Sequence, residues 1–266
     1  MRGTIFSKQS DIPLLLLHGI ACNGEVFSDL KSPGLATEFS KAGFHVQIPH
    51  LQTSQEGCDF DSQLLKDLPE IWNAACVKSQ TAPMVLGHSM GGMLALVGQA
   101  RGIISSPRLL VLGTPVVFQR IPFYPNLMKK ILWICTKLSL PLIPLRILAR
   151  CVFIYFMYGN QGKPSQELRI FHALIRRAAV NVSLQTLAQA TSWVDSLRFF
   201  NRFRTHDYFQ DLKLIKVPVA FVAGENDRIA PIASMKPGYD AVSSEEKRFE
   251  VIKGASPSSK TCGRLV

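Results

Sequence analysis

One pentad in this 266-residue sequence has the residue types and spacing for covalent chemistry: Gly87-His88-Ser89-Met90-Gly91, followed by Gly92. It lies between the apolar stretch Pro83 to His88, which reads as a strand, and the stretch Met90 to Arg101, which reads as a helix. G-x-S-x-G at a strand-to-helix junction holds a serine on a sharp, strained turn with its hydroxyl exposed. Glycines on both sides leave room for that turn. A helix beginning at Met90 aims its N-terminal N–H groups where negative charge would develop. The chemistry of such a serine is acyl transfer, the cleavage of an ester, thioester or amide through an acyl-enzyme. The competing reading is a glycine-rich turn with no chemistry, and the strand-turn-helix setting favours the first.

A serine so placed needs a scaffold of alternating strands and helices. The run Leu14 to Leu17 is wholly apolar and ends at His18-Gly19, as expected of a strand buried on both faces of a parallel sheet. A helix-like stretch follows to about residue 42. Residues 44–48 alternate and end at Pro49. Leu64, Leu65, Leu68, Ile71, Trp72 and Ala75 recur at helical spacing. Further strands are expected at 108–113, 217–223 and 247–252. This order predicts an α/β fold, a mostly parallel sheet flanked by helices. The rhythm breaks after residue 118. Residues 119–211 show no alternating strand and carry prolines at 122, 125, 141, 144 and 164, as expected of an inserted helical cap. The expected division is 1–118 and 212–255 for the core, 119–211 for the cap and 256–266 for an irregular tail. No internal repeat is present.

His18-Gly19-Ile20 closes the first strong strand. With this motif and the pentad, the sequence resembles the α/β-hydrolase family, in particular its esterase, lipase and carboxylesterase-like members. The resemblance implies Ser89 as nucleophile, with the backbone N–H groups of Ile20 and Met90 forming the oxyanion hole. His18 and Gly19 support that loop, His18 by hydrogen bonding rather than as a base, and Gly87 and Gly91 support the turn. After the strand at 217–223 the chain reads Gly224-Glu225-Asn226-Asp227. Here the family places the acid that orients a histidine, in the chain order Ser, Asp, His. Asp227 is the choice, Glu225 the runner-up, and an ordinary polar turn the alternative.

The resemblance covers residues 12–118 and 212–256 and departs at the histidine. Where the family places it, this sequence has Gly254-Ala255-Ser256-Pro257, and no histidine follows His206. A serine hydroxyl without a base is a poor nucleophile; in a serine protease, loss of the histidine costs roughly 10⁶ in turnover. For His88, His172 and His206, core or surface roles are favoured over substitution as base. Three readings follow. One is a serine hydrolase acting on carboxylic esters with a hydrophobic acyl group. The second is a non-catalytic relative that binds an apolar ligand or a partner. The third is a truncated or frame-shifted form of an active enzyme, with an altered end after Ser256.

Composition narrows the partners. With 47% hydrophobic and 18% charged residues the chain can bury a large core. Its net charge of +11 favours anionic lipid, nucleic acid or acidic substrates. Zinc-finger spacing, an RNA-binding aromatic motif and runs of five basic residues are all missing, so nucleic acid is not the expected partner. Between residues 120 and 216, lysine and arginine outnumber aspartate and glutamate by 15 to 4. Within this region residues 131–158 are strongly apolar, with Lys137, Arg146 and Arg150 the only charges. Those charges and prolines 141 and 144 argue against a membrane span. A pair of cap helices lining a hydrophobic pocket, or simply packing the cap, is expected. The basic lid either touches anionic lipid or is a solvated face. The six cysteines form no C-x-x-C pair, so neither a metal nor a disulfide framework is expected, and no cofactor is implied. Reduced thiols, and a first apolar run too short for a signal peptide, point to a cytoplasmic protein.

Overall fold

The computed structural model describes residues 4–6, 12–29, 33–52, 55–118, 124–138, 142–143, 176–227 and 229–253. Arg146, Arg150, His172, most of the apolar stretch 131–158 and the tail from 254 lie outside the described residues.

The core is a seven-stranded sheet. In chain order its strands are β1 (Thr4–Phe6), β2 (Ile12–Leu17), β3 (Phe44–Ile48), β4 (Met84–His88), β5 (Leu109–Leu112), β8 (Val219–Gly224) and β9 (Lys247–Ile252). Across the sheet they run β1-β3-β2-β4-β5-β8-β9. β1 is antiparallel to β3 and every other pairing is parallel. The four leucines of β2 explain their own pattern. Leu14 and Leu16 pack with Phe27, Leu35 and Phe39 on one face, and Leu15 and Leu17 with Leu64, Leu68 and Leu94 on the other. A strand covered on both sides has no polar face to alternate with.

The helices follow local signals. Asn23 accepts from Glu25 N–H and starts a 3-10 turn at Gly24–Phe27, and α1 (Leu35–Lys41) begins only after Pro33-Gly34. The helix-like stretch expected up to residue 42 is therefore one tight turn and one short helix. Asp59 and Ser62 form a reciprocal capping box at α2 (Phe60–Ser62). A π turn, Gln63–Asp67, joins α2 to α3 (Leu68–Ser79). Pro69 lacks the N–H that an α-turn would use, and just before it Leu68 N–H donates to Gln63 C=O. α4 (Met90–Ala100) is buried along almost its whole length beneath the sheet.

Between β5 and β8 lie α5 (Tyr124–Lys137), the two-residue strands β6 (Leu142–Ile143) and β7 (Val182–Ser183), and α6 (Leu184–Ser196). The antiparallel β6–β7 pair was not expected from the sequence; two residues are too few to show a period. α6 is tied to the core through α2. Phe60 packs edge-on against Trp193 and Phe199, and Asp61 accepts from Gln189 Nε2 at 3.0 Å and Tyr208 Oη at 2.9 Å. Helix α7 (Ile232–Ala241), with Pro237 inside it, fills the β8–β9 crossover. No helix among the described residues is long and apolar enough to cross a membrane.

Candidate active site

Ser89 ends β4 and precedes α4 with φ 52° and ψ −121°, a conformation that strains any residue with a Cβ. The turn is fixed from both sides. Ser89 N–H donates to Leu112 C=O at 2.9 Å, while Ser89 C=O accepts from Gly92 N–H at 3.0 Å and Met93 N–H at 3.1 Å. A serine at a helix N-cap ordinarily spends its hydroxyl on the first free N–H groups. This one makes no capping bond. The turn also explains the glycines. A Cβ at Gly91 would lie 2.2 Å from Leu17 O, and one at Gly87 would lie 2.4 Å from the Gly92 Cα. Gly19 brings the loop after β2 against the serine, since a Cβ there would sit 2.9 Å from Ser89 Cβ.

That loop carries Ile20. The backbone N–H groups of Ile20 and Met90 have no hydrogen-bond acceptor among the described residues. Paired, unengaged N–H groups beside a serine can bind an oxyanion. His18 braces the loop: its Nδ1 donates to Gly19 C=O at 3.0 Å and its Nε2 accepts from Leu51 N–H at 3.1 Å. Burial drives its pKa down to about 4, against the raising effect of the Gly19 carbonyl, so the ring is neutral at pH 7. The inserted region clamps the same loop. Val180 N–H donates to Ala21 C=O at 3.0 Å, and Asn23 N–H to Ala178 C=O at 2.9 Å, with Ala21 at φ 62°. Ile20 packs towards Cys135, Val182 and Leu187, giving the loop after β2 an apolar neighbour. A cavity of about 390 Å³ has Cys22, Asn23, His50, Leu51 and Val180 in its lining.

Asp227 lies just beyond the carboxyl end of β8. Its Oδ1 accepts from Ile229 N–H and Ala230 N–H, both at 2.8 Å. A Cβ built on Gly113, at the end of β5, would be 3.3 Å from its Oδ2. Burial pushes the Asp227 carboxyl above the usual carboxylate range, although the two N–H groups pull it down. One strand, β5, stands between the strands of Ser89 and Asp227. With adjacent strands ~4.8 Å apart, the two strands that lead to these residues lie roughly 10 Å from each other across the sheet. Glu225, the alternative acid, is exposed, and its N–H donates to Ile252 C=O.

No imidazole hydrogen-bonds to Ser89 or Asp227 among the described residues. His88 turns its Nδ1 into the interior without a described partner, and burial lowers its pKa to about 4. His206 bonds Asp211 at 2.8 Å, and Asp211 also faces Arg101 at the far end of α4 from Ser89. An 11-residue helix is roughly 16 Å long, so His206 belongs to another region. His172 lies outside the described residues. No group of three His, Cys, Asp or Glu is placed to hold a metal among the described residues. No residue type marks Ala178 to Val180, which act through backbone atoms alone, or Leu51 as the partner of His18.

No curated protein sequence matches this chain. Solved structures share its fold. A monoacylglycerol lipase of Paleococcus ferrophilus is 13% identical with a TM-score of 0.62, covering 98% of this chain and 91% of that one. A carboxylesterase of Nitrososphaera gargenis is 13% identical with a TM-score of 0.66, covering 100% and 89%. An esterase of Exiguobacterium antarcticum is 17% identical with a TM-score of 0.63, covering 96% and 88%. Residues 8–256 match the hydrolase family described as serine aminopeptidase, S33. This chain is a member of that α/β-hydrolase family.

Proposed function

We propose that the chain is a serine hydrolase that cleaves carboxylic esters with a hydrophobic acyl group. The observation that carries this is Ser89, held at φ 52° with its hydroxyl unused for capping, beside the unengaged N–H groups of Ile20 and Met90. In this reading Ser89 Oγ attacks the ester carbonyl carbon and loses its proton to a base. The carbonyl oxygen, now negative, takes hydrogen bonds from Ile20 and Met90. The alcohol leaves with a proton, and water then cleaves the acyl-enzyme to release the acid. Ile20 packs against the apolar cluster of Cys135, Val182 and Leu187, so the surroundings of the proposed oxyanion site favour an apolar acyl group over a charged peptide. Among the structural neighbours, an esterase and a monoacylglycerol lipase agree with an ester substrate.

Asp227 is the acid that would orient an imidazole between itself and Ser89. No imidazole bonds to either among the described residues, and turnover without an added base is expected to be very slow. The same observation favours a second reading, a relative that binds an apolar ligand without turning it over. Hydrolysis of p-nitrophenyl esters by the 266-residue chain separates the two when measured with and without added imidazole. The hydrolase reading expects a slow rate that rises with imidazole and drops to background in Ser89→Ala. Equal rates in the two proteins would move the chemistry away from Ser89. No rate above that of imidazole alone, at any imidazole concentration, together with binding of the apolar ester, would establish the second reading.

A further inference from the structure

Helix α5 has two faces of opposite character. Its inner face places Ile131 and Cys135 against Val182 and Leu187. On the outside, Trp133 is 62% exposed, Ile134 45%, and Leu138, just past the helix end, 63%. Lys130 and Lys137 are exposed with them. Positions 130, 133, 134, 137 and 138 follow the i, i+3, i+4, i+7, i+8 spacing of a single helical stripe. No acidic residue occurs in the helix, and the Lys137 ammonium lies 6.0 Å from the centre of the Trp133 ring. Lys129, off the stripe, is paired with Asp195 at 2.9 Å.

A merely solvated helix face has little reason to expose three adjoining large apolar side chains. A stripe mixing Trp, Ile and Leu with lysine has the amphipathic chemistry of a surface seated at the headgroup level of a bilayer. We infer that the outer face of α5 docks on an anionic lipid surface. Trp133, Ile134 and Leu138 enter the boundary between headgroups and acyl chains, and Lys130 and Lys137 rest on lipid phosphates. Charge selects this occupant. A second copy of the chain would bring two uniformly basic stripes together, in a protein of net charge +11. The docking is independent of chemistry at Ser89.

Tryptophan emission provides the test, because Trp72 is 8% and Trp193 2% exposed, so a change of solvation reports Trp133. The full chain is titrated with vesicles of phosphatidylserine and phosphatidylcholine, and separately with phosphatidylcholine alone. The expected result is a blue shift and co-sedimentation with the anionic vesicles, weakened by salt. K130A/K137A should weaken binding roughly 30-fold, and W133A/I134S/L138S, which lacks the Trp133 reporter, should no longer co-sediment with the anionic vesicles. Should the apolar triple variant fold poorly, the lysine pair alone decides. Unshifted emission with anionic vesicles, or binding unchanged in K130A/K137A, would overturn the inference. So would a blue shift that grows with protein concentration in the absence of lipid, since a second copy would then be the occupant.

Discussion

Val180 and Ala21 share a backbone hydrogen bond, N–H to C=O at 3.0 Å, that joins the inserted region to the loop bearing Ile20, the oxyanion donor of the proposed mechanism. Proline at position 180 has no N–H to give. Val180→Pro should therefore lower the Ser89-dependent rate on p-nitrophenyl esters at least ~10-fold, since losing an oxyanion donor outright costs about 10²–10³. Thermal unfolding should fall only modestly, by the ~1 kcal/mol of one hydrogen bond. An unchanged rate in a folded variant would detach the inserted region from the chemistry.

Strain at Ser89 predicts an ordering of two inactive variants. Ser89→Ala keeps a Cβ at φ 52° and so keeps the strain, whereas Ser89→Gly releases it. The glycine variant should be more stable than the alanine variant by about 1 kcal/mol, or ~2–4 °C in Tm. The reverse order in calorimetry would mean that the turn is relaxed.

These two sites differ in how far the sequence discloses them. Ser89 stands out because a wholly apolar strand, a glycine-framed turn and a buried helix are contiguous, and each has a local signature. Leu14 to Leu17 mark a strand covered on both faces for the same reason. Asp227 was legible as a motif, but the lone strand β5 between it and Ser89 was not, because strand order is set by crossovers. The Ala21–Val180 and His18–Leu51 contacts use backbone atoms that every residue has, so no residue type announces them. Helix α7 was missed, with Pro237 inside its pattern, and the π turn before Pro69 interrupts an otherwise regular spacing without changing it.

Acid should destabilise the protein through two buried imidazoles. Burial lowers His18 and His88 from the ordinary 6.5 to about 4. Between those values the unfolded chain binds more protons than the folded one, so stability falls as pH drops below about 6.5. By pH 5 each ring costs about 2 kcal/mol relative to pH 7. Urea unfolding should show this loss, and His88→Leu should recover about half of it, since that Nδ1 has no described partner to lose. Equal stability at pH 7 and pH 5 would mean that the rings are hydrated.

If Ser89 is the nucleophile of an acyl-transfer site, a reagent that phosphonylates activated serines should label it. The 266-residue chain is incubated with a fluorophosphonate probe, and the modified peptide is identified by mass spectrometry over time. The predicted result is a slow, single adduct on Ser89 that forms faster with added imidazole and is absent from Ser89→Ala. An adduct on another residue, or labelling that persists in Ser89→Ala, would contradict the account.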